Sequence, residues 1–334
     1  MLRAPRNLEK PLLGARSACQ AERKDANREG VKRPRFSAAR VAAALLAVIA
    51  AAGAGCANQA GVPREMRAWN RDYPPFHVIG NIYYIGSNAV AQFLIATPEG
   101  HILLDSGFEA SVPRLRANVE SLGFRFADVK YLLTSHAHID HVQGHALVRQ
   151  LTGAAVVASA ADAQVLTNGG KGEAVYDGVY SWTPCPVDRV VADGDEITLG
   201  GTTLVARVTP GHTRGATTWT MRISAQDGKH AQAGRPLDVV FFPSANINPG
   251  VRLVGNTRYP EIAADFERSF ATWRALPCDV VLGAHPSFFD MDRKRDRQGD
   301  EKGGGPSAFI DPDGYRKLIA EAEQRFRTQL ASER

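Results

Sequence analysis

The sequence predicts an α+β fold, a four-layer αββα sandwich occupying residues 58–334 as one domain. Three observations predict it. Short apolar strands punctuated by Gly, Pro and Asp run from Tyr73 to His285, amphipathic helices are interspersed and close the chain, and a histidine cluster stands where a buried-type strand meets a helix. With 334 residues, 44% of them hydrophobic, the chain can bury a sizeable core. The sequence shows no internal repeat with a period of 20 to 50 residues, which argues against a solenoid or propeller.

From the N-terminus, residues 1–57 read as a leader. Lys32, Arg33, Arg35 and Arg40 precede an uncharged run from Val41 to Gly55, and small residues follow at Cys56, Ala57 and Ala60. This is the order of a secretory signal, and the run is shorter than the ~20 residues of a spanning helix. A periplasmic location is therefore expected. Gly53-Ala54-Gly55-Cys56 is also similar to a lipoprotein cleavage box, with Gly53 where an aliphatic residue is usual; membrane attachment would follow only from lipidation of Cys56.

The first body strands are His77–Tyr84, Gln92–Ala96 and His101–Asp105, separated by Gly86 and the Pro98-Glu99-Gly100 turn. Val112–Leu122 is an amphipathic helix stopped by Gly123. Val129–Thr134 is a compact buried strand, and Val142–Leu151 a helix ending at Gly153. Further strands are expected at Val156–Ala158, Arg189–Val191, Glu196–Leu199, Thr203–Val208, Thr218–Ile223, Val239–Phe242 and Val280–Leu282. Pro260 suits a first helical position, and Ile262, Phe266, Phe270 and Trp273 form one apolar face ended by Pro277. Met291–Gly305, charged and glycine-rich, reads as a solvated loop with Arg293-Lys294-Arg295 as an exposed face. Asp311-Pro312 caps the last helix, whose buried side carries Tyr315, Leu318, Ile319, Ala322, Phe326 and Leu330.

The net charge of +5 invites a nucleic-acid reading, which its distribution removes. The leader alone carries +7, leaving −2 on residues 58–334, so no nucleic-acid partner is expected. Of four cysteines, Cys185 and Cys278 belong to the body; they either pair or stay as thiols, and no CxxC spacing is present.

The chemistry lies in Thr134-Ser-His-Ala-His-Ile-Asp-His141. Four potential ligands, His136, His138, Asp140 and His141, fall within six positions after an apolar strand. Neutral imidazoles with a carboxylate suit Zn²⁺, which accepts N and O donors. Burying so many titratable groups without a metal or partners would be costly. His212 in Thr209-Pro-Gly-His-Thr213 and His285 in Leu282-Gly-Ala-His-Pro286 likewise end strands, where a rigid scaffold meets site-forming loops. His77, His101, His145 and His230 have no such setting and read as surface or core residues.

An HxHxDH run after a strand, then Gly-His-Thr, then Gly-Ala-His resembles the metallo-β-lactamase superfamily. Asn81–Gly86, His101–Gly107, Leu132–His138, Thr209–Thr213 and Arg274–Val280 narrow the resemblance to class B metallo-β-lactamases of subclass B3, over roughly residues 66–330. The resemblance implies two zinc ions per chain, the first held by His136, His138 and His212, the second by Asp140, His141 and His285. It implies opening of the β-lactam ring of penicillins, cephalosporins and carbapenems by a metal-bound hydroxide, with Asp140 as the catalytic residue that orients the nucleophile. A small-molecule partner and a monomer follow. Asp105 resembles the aspartate that supports the ligands in this superfamily; turn stabilisation is its other reading.

Thioesterases of the glyoxalase-II type and many phosphodiesterases place a metal-bridging aspartate between the last two metal histidines, and other lactamase subclasses place a cysteine there. Val239–Gly250 contains neither, and Asp238 precedes the strand. Ser244, Asn246 and Asn248 are the polar donors of that loop, read as substrate-binding residues or as ordinary loop polarity. Gln143 stands where many relatives have a second glycine, which would alter the start of the adjoining helix, and no cysteine follows Cys278 to form the family's bridge. Alternatives to the lactamase are a lactonase or thioesterase on the same scaffold and, in another class, a non-catalytic zinc-sequestering protein.

Overall fold

The computed structural model describes residue 59 and residues 61–223, 235–299 and 308–334; the leader, Cys56 and His230 lie outside them. Two sheets form the centre. One has seven strands in sequential order: β1 (Phe76–Ile79), β2 (Ile82–Tyr84), β3 (Phe93–Thr97), β4 (Gly100–Leu104), β5 (Val129–Leu133), β6 (Ala155–Ser159) and β7 (Arg189–Val191). The first four pair antiparallel, and β4 to β7 run parallel. The other is ordered β12-β11-β10-β9-β8, from β8 (Glu196–Leu199), β9 (Thr202–Val208), β10 (Thr217–Ile223), β11 (Leu237–Phe242) and β12 (Val280–Gly283).

Alternation along the strands divides the core. Leu94, Leu103, Leu132 and Val156 join Val112, Leu115 and Val119 of α1 (Val112–Ser121) in one apolar cluster. Their neighbours Phe93, Ile95, Ile102, Leu104, Leu133 and Val157 turn the other way, to Leu204, Ala206, Trp219, Met221 and Phe241 of the five-stranded sheet. Phe93 and Phe241 meet with ring centroids 5.4 Å apart, and Trp219 donates its indole N–H across the sheets to the Thr134 carbonyl at 3.0 Å. On the far side, Phe242 meets Trp273 of α5 (Ile262–Ala275) at 5.0 Å. Phe266 and Phe270 of α5 contact Phe326 of α7 (Pro312–Glu333). Sheets inside and helices outside make the expected αββα sandwich.

The smaller α-helices are α2 (Ile139–Val142), α3 (His145–Thr152), α4 (Ala160–Thr167) and, between β12 and α7, α6 (Met291–Gly299); short 3-10 helices, among them Arg64–Trp69, lie in the connections. Most expected elements are present within a residue or two. The single strand His77–Tyr84 is instead a hairpin, because Gly80 turns the chain at φ +56°. The helix expected from Val142 divides at Gln143–Gly144 into α2 and α3. Gly144 is required there, since a Cβ would sit 2.7 Å from the Val112 side chain. Helix α4 was not expected; eight residues are too few for a clear period. The segment from Met291 is helical as far as Gly299 rather than loop. Its charged sequence is held by buried Met291 and by Lys294, whose ammonium is buried 2.9 Å from Asp311. The Arg293–Arg295 face is therefore not wholly solvated: Arg295 also lies over the rings of Tyr73 and Phe76. Asp311 caps α7 as expected, accepting the Gly314 N–H at 2.9 Å. Cys185 and Cys278 are free thiols in separate apolar clusters.

Candidate metal centre

Strand β5 delivers the first ligand loop. Thr134 N–H still pairs with Val157 of β6, and the chain then leaves the sheet. Asp105, at the end of β4 with φ +60°, receives it: the Ser135 N–H reaches Asp105 Oδ1 at 2.8 Å and the Ser135 hydroxyl reaches Oδ2 at 2.6 Å. A left-handed aspartate held by two hydrogen bonds is backbone strain retained for positioning. Helix α2 follows and carries Asp140 and His141, both buried.

The five-stranded sheet supplies the rest. After β9 the chain turns at Gly211, φ +139°, where a Cβ would lie 2.6 Å from the Phe266 ring; only glycine lets His212 come this close to the packed helix. Thr217 N–H donates to the Ser135 carbonyl at 2.8 Å, tying the two ligand loops together. His285 follows β12, and the Ala284 carbonyl accepts the Ala91 N–H at 2.8 Å.

Two triads result. Ligand atoms of His136, His138 and His212 lie within 4.8 Å of one another, and so do those of Asp140, His141 and His285. The ring centroids of His136 and His141 are 4.2 Å apart, so the triads adjoin. All six predicted metal residues are brought together. Four rings are held through Nδ1: His136 by the Ser135 hydroxyl at 3.1 Å, His141 by Asp105 at 3.1 Å, His212 by the Asn246 carbonyl at 2.7 Å and His285 by the Ala89 carbonyl at 2.7 Å. This leaves Nε2 as the free ligand atom of each ring. The buried His136 Nε2 has no hydrogen-bond partner among the described residues, and His141 Nε2 lies 3.4 Å from His285 Nε2 and 3.2 Å from Asp140. An all-N/O donor set that includes an orphaned buried imidazole nitrogen fits a pair of zinc ions.

The electrostatics agree with a cation site. Burial, reinforced by the neighbouring imidazoles, holds His136 and His212 well below the usual histidine range, and burial lowers His285, so the rings sit in the neutral, ligating form. Burial opposes ionisation of Asp140, but His141, His285 and His138 outweigh it and keep its carboxyl low. At His141 burial is likewise outweighed, here by Asp140 and Asp105, which push it up to about 10. Without metal His141 is thus protonated between the two carboxylates, and a cation bound in the second triad takes the place of that proton.

Of the expected substrate residues, Ser244 is buried with its hydroxyl accepting the Asn246 N–H at 3.1 Å. Asn246 is exposed while its carbonyl holds His212, and Asn248 is half-buried with its carbonyl accepting the Val251 N–H. Gln143 reaches Glu109 N–H and the Gly61 carbonyl. His145 is core: Nδ1 meets the Ser106 hydroxyl at 2.8 Å and Nε2 the Thr134 hydroxyl at 3.1 Å.

Four residues at the site had no sequence signal. Trp69 stands edge-on to His285 at 6.1 Å and Tyr176 edge-on to His138 at 5.3 Å. Glu173 is buried beside His138. Asp162 accepts the Ala137 N–H at 3.0 Å and the Thr213 hydroxyl at 3.2 Å, joining the first ligand loop to the loop of His212. None lies in a metal-type spacing.

Residues 85–285 match the Metallo-beta-lactamase superfamily, and the chain belongs to that family. Among solved structures it is similar to the native FEZ-1 metallo-β-lactamase from Legionella gormanii, at 39% identity over 79% of this chain and 98% of that one, with a TM-score of 0.73. BJP-1, a subclass B3 metallo-β-lactamase of Bradyrhizobium japonicum, is 36% identical over 80% and 97%, with a TM-score of 0.72. A hydroxyacylglutathione hydrolase of Cereibacter sphaeroides is 32% identical over 31% of this chain and 34% of its own length. The chain spans less than half the length of the curated relatives it matches.

Proposed function

We propose that the protein is a di-zinc β-lactamase of the subclass B3 type, opening the β-lactam ring of penicillins, cephalosporins and carbapenems. The observation that carries this reading is the pair of adjoining triads, His136/His138/His212 and Asp140/His141/His285. Its support in kind is the 39% identity to FEZ-1 over nearly all of that enzyme. Bound in the triads, two zinc ions would supply Lewis acidity for the lactam carbonyl and an activated water for the attack.

The chain's own residues divide the remaining work. Asp140, kept ionised among three imidazoles, is placed to ligate the second ion, to orient a water and to accept its proton at Oδ2. Asp105 and the Asn246 and Ala89 carbonyls fix three of the rings. Trp69 and Tyr176, edge-on to His285 and His138, are placed to flank a bound bicyclic substrate on either side of the triads. Asn246 and Asn248, on the loop whose backbone holds His212, are the candidate carboxylate contacts, while Ser244 is buried beneath them with its hydroxyl already accepting the Asn246 N–H.

A thioesterase or lactonase is the second reading, raised by the hydroxyacylglutathione hydrolases. Its bridging aspartate has no counterpart after β11: Asp238 sits near the start of that strand, 2.8 Å from Arg222. The proposal includes export: residues 1–57 as a signal, residues 58–334 as the mature domain in the periplasm, and membrane attachment only through a lipidated Cys56. Purified protein, counted for zinc by elemental analysis and offered meropenem, a cephalosporin, a penicillin, a thioester and a lactone in parallel, tests the reading. Two zincs with lactam turnover are expected; thioester or lactone turnover without lactam turnover would sink it.

A further inference from the structure

Glu173 stands outside both triads, in the loop between α4 and β7, yet its side chain is among the most buried carboxylates of the described residues, 4% exposed. One oxygen, Oε2, accepts the Val175 N–H at 2.7 Å and the Tyr176 N–H. The other, Oε1, has no hydrogen-bond partner among the described residues and lies 3.5 Å from His138 Nε2, itself buried and likewise without one among them. A carboxylate that only braced its own turn would not need to bury its second oxygen, whose desolvation is uncompensated when it is left unpaired. Two orphaned atoms of complementary kind, face to face, satisfy each other with a shift of a fraction of an ångström.

We propose that Glu173 is a positioning residue for the first metal site: its Oε1 accepts the His138 Nε2–H and so presents His138 through Nδ1, while its Oε2 holds the turn that sets Tyr176 against the same ring. His138 is thereby distinguished from the other four imidazoles, all held through Nδ1. Each triad then has one imidazole backed by a carboxylate, His141 by Asp105 and His138 by Glu173, with neutral oxygens behind the rest. A carboxylate acceptor makes the ring a more basic ligand and locks its tautomer. Because the two oxygens serve different partners, one side chain links the placement of the Tyr176 ring to the geometry of the first metal site.

The inference rests on the reading of His136, His138 and His212 as a metal site, and its test separates the two. Full-length wild type, Glu173→Met and Glu173→Gln are compared for zinc affinity by competition with a chelating dye and for the visible spectrum of the cobalt-substituted protein. Met fills similar space without an acceptor; Gln keeps an oxygen for His138 but cannot also accept the two turn N–H groups. First-site affinity is expected to fall about 10- to 100-fold in Glu173→Met with an altered cobalt spectrum. Glu173→Gln restores both, while its KM for a lactam rises through the loosened turn. Wild-type affinity and spectrum in Glu173→Met would overturn the inference and leave Glu173 a loop brace. A wild type that binds no zinc would overturn the metal-centre reading as well. Should Glu173→Met not fold, Glu173→Asp replaces it: too short to reach both partners, it is expected to weaken the first site, and unchanged affinity overturns the proposal.

Discussion

Asp105 Oδ2 lies 3.1 Å from His141 Nδ1 and holds that ring at the heart of the second triad, from a backbone position at φ +60°. The same carboxylate takes both the N–H and the hydroxyl of Ser135. It therefore fixes the ligand loop at its start and at its fourth ligand. Asp105→Asn tolerates the left-handed backbone but cannot accept all three bonds. Zinc affinity at the second triad should fall about 10- to 100-fold, measured by dye competition, with the fold retained by circular dichroism.

Asp140→Ala removes the one carboxylate of the triads. Under the proposed reading, elemental analysis should find about one zinc per chain and lactam turnover should drop by orders of magnitude. His212→Ala should instead deplete the first site. Undiminished turnover with two zincs in Asp140→Ala would falsify the assignment.

Thorough chelation should abolish hydrolysis, and stoichiometric Zn²⁺ should restore it. Turnover followed by the loss of lactam absorbance, before and after metal return, checks this. Activity that survives metal removal excludes the proposed chemistry.

His145 gives a pH dependence of stability separate from the ligands. Burial lowers it to about 4, against an ordinary value near 6.5. The folded state thus refuses a proton that the unfolded chain accepts between these values. Its contribution is fully present above pH 6.5 and is lost as pH falls toward 4, on the order of 3 kcal/mol across the window. Urea unfolding of metal-free protein at pH 7.5 and pH 5 should show a steeper loss in wild type than in His145→Gln. Equal slopes would contradict it.

The sandwich and the six triad residues were legible in the sequence because both have short-range signatures. Strand alternation is local, and HxHxDH packs four donors onto one strand-to-helix junction. His212 and His285 could be found because each ends a strand beside glycine. What escaped depends on contacts between distant segments. Lys294 is buried because Asp311 waits for it, which turns an apparently solvated run into helix. Glu173, Asp162, Trp69 and Tyr176 gain their places only when loops remote in sequence meet at the triads. The substrate edge was ambiguous for the same reason: the Asn246 backbone carbonyl, not a side chain, makes the contact to His212, and any residue at that position could offer it.

Each triad draws on both sheets. His136 and His138 follow β5 while His212 follows β9; Asp140 and His141 ride on α2 while His285 follows β12. A cation seated in either triad is thus a clasp across the sandwich seam, and prying the halves apart must eject it. Above the dissociation constant, each tenfold rise in free zinc would add about 1.4 kcal/mol of resistance to unfolding per occupied site. In a zinc-starved compartment the molecule would lose durability along with its reactive centre.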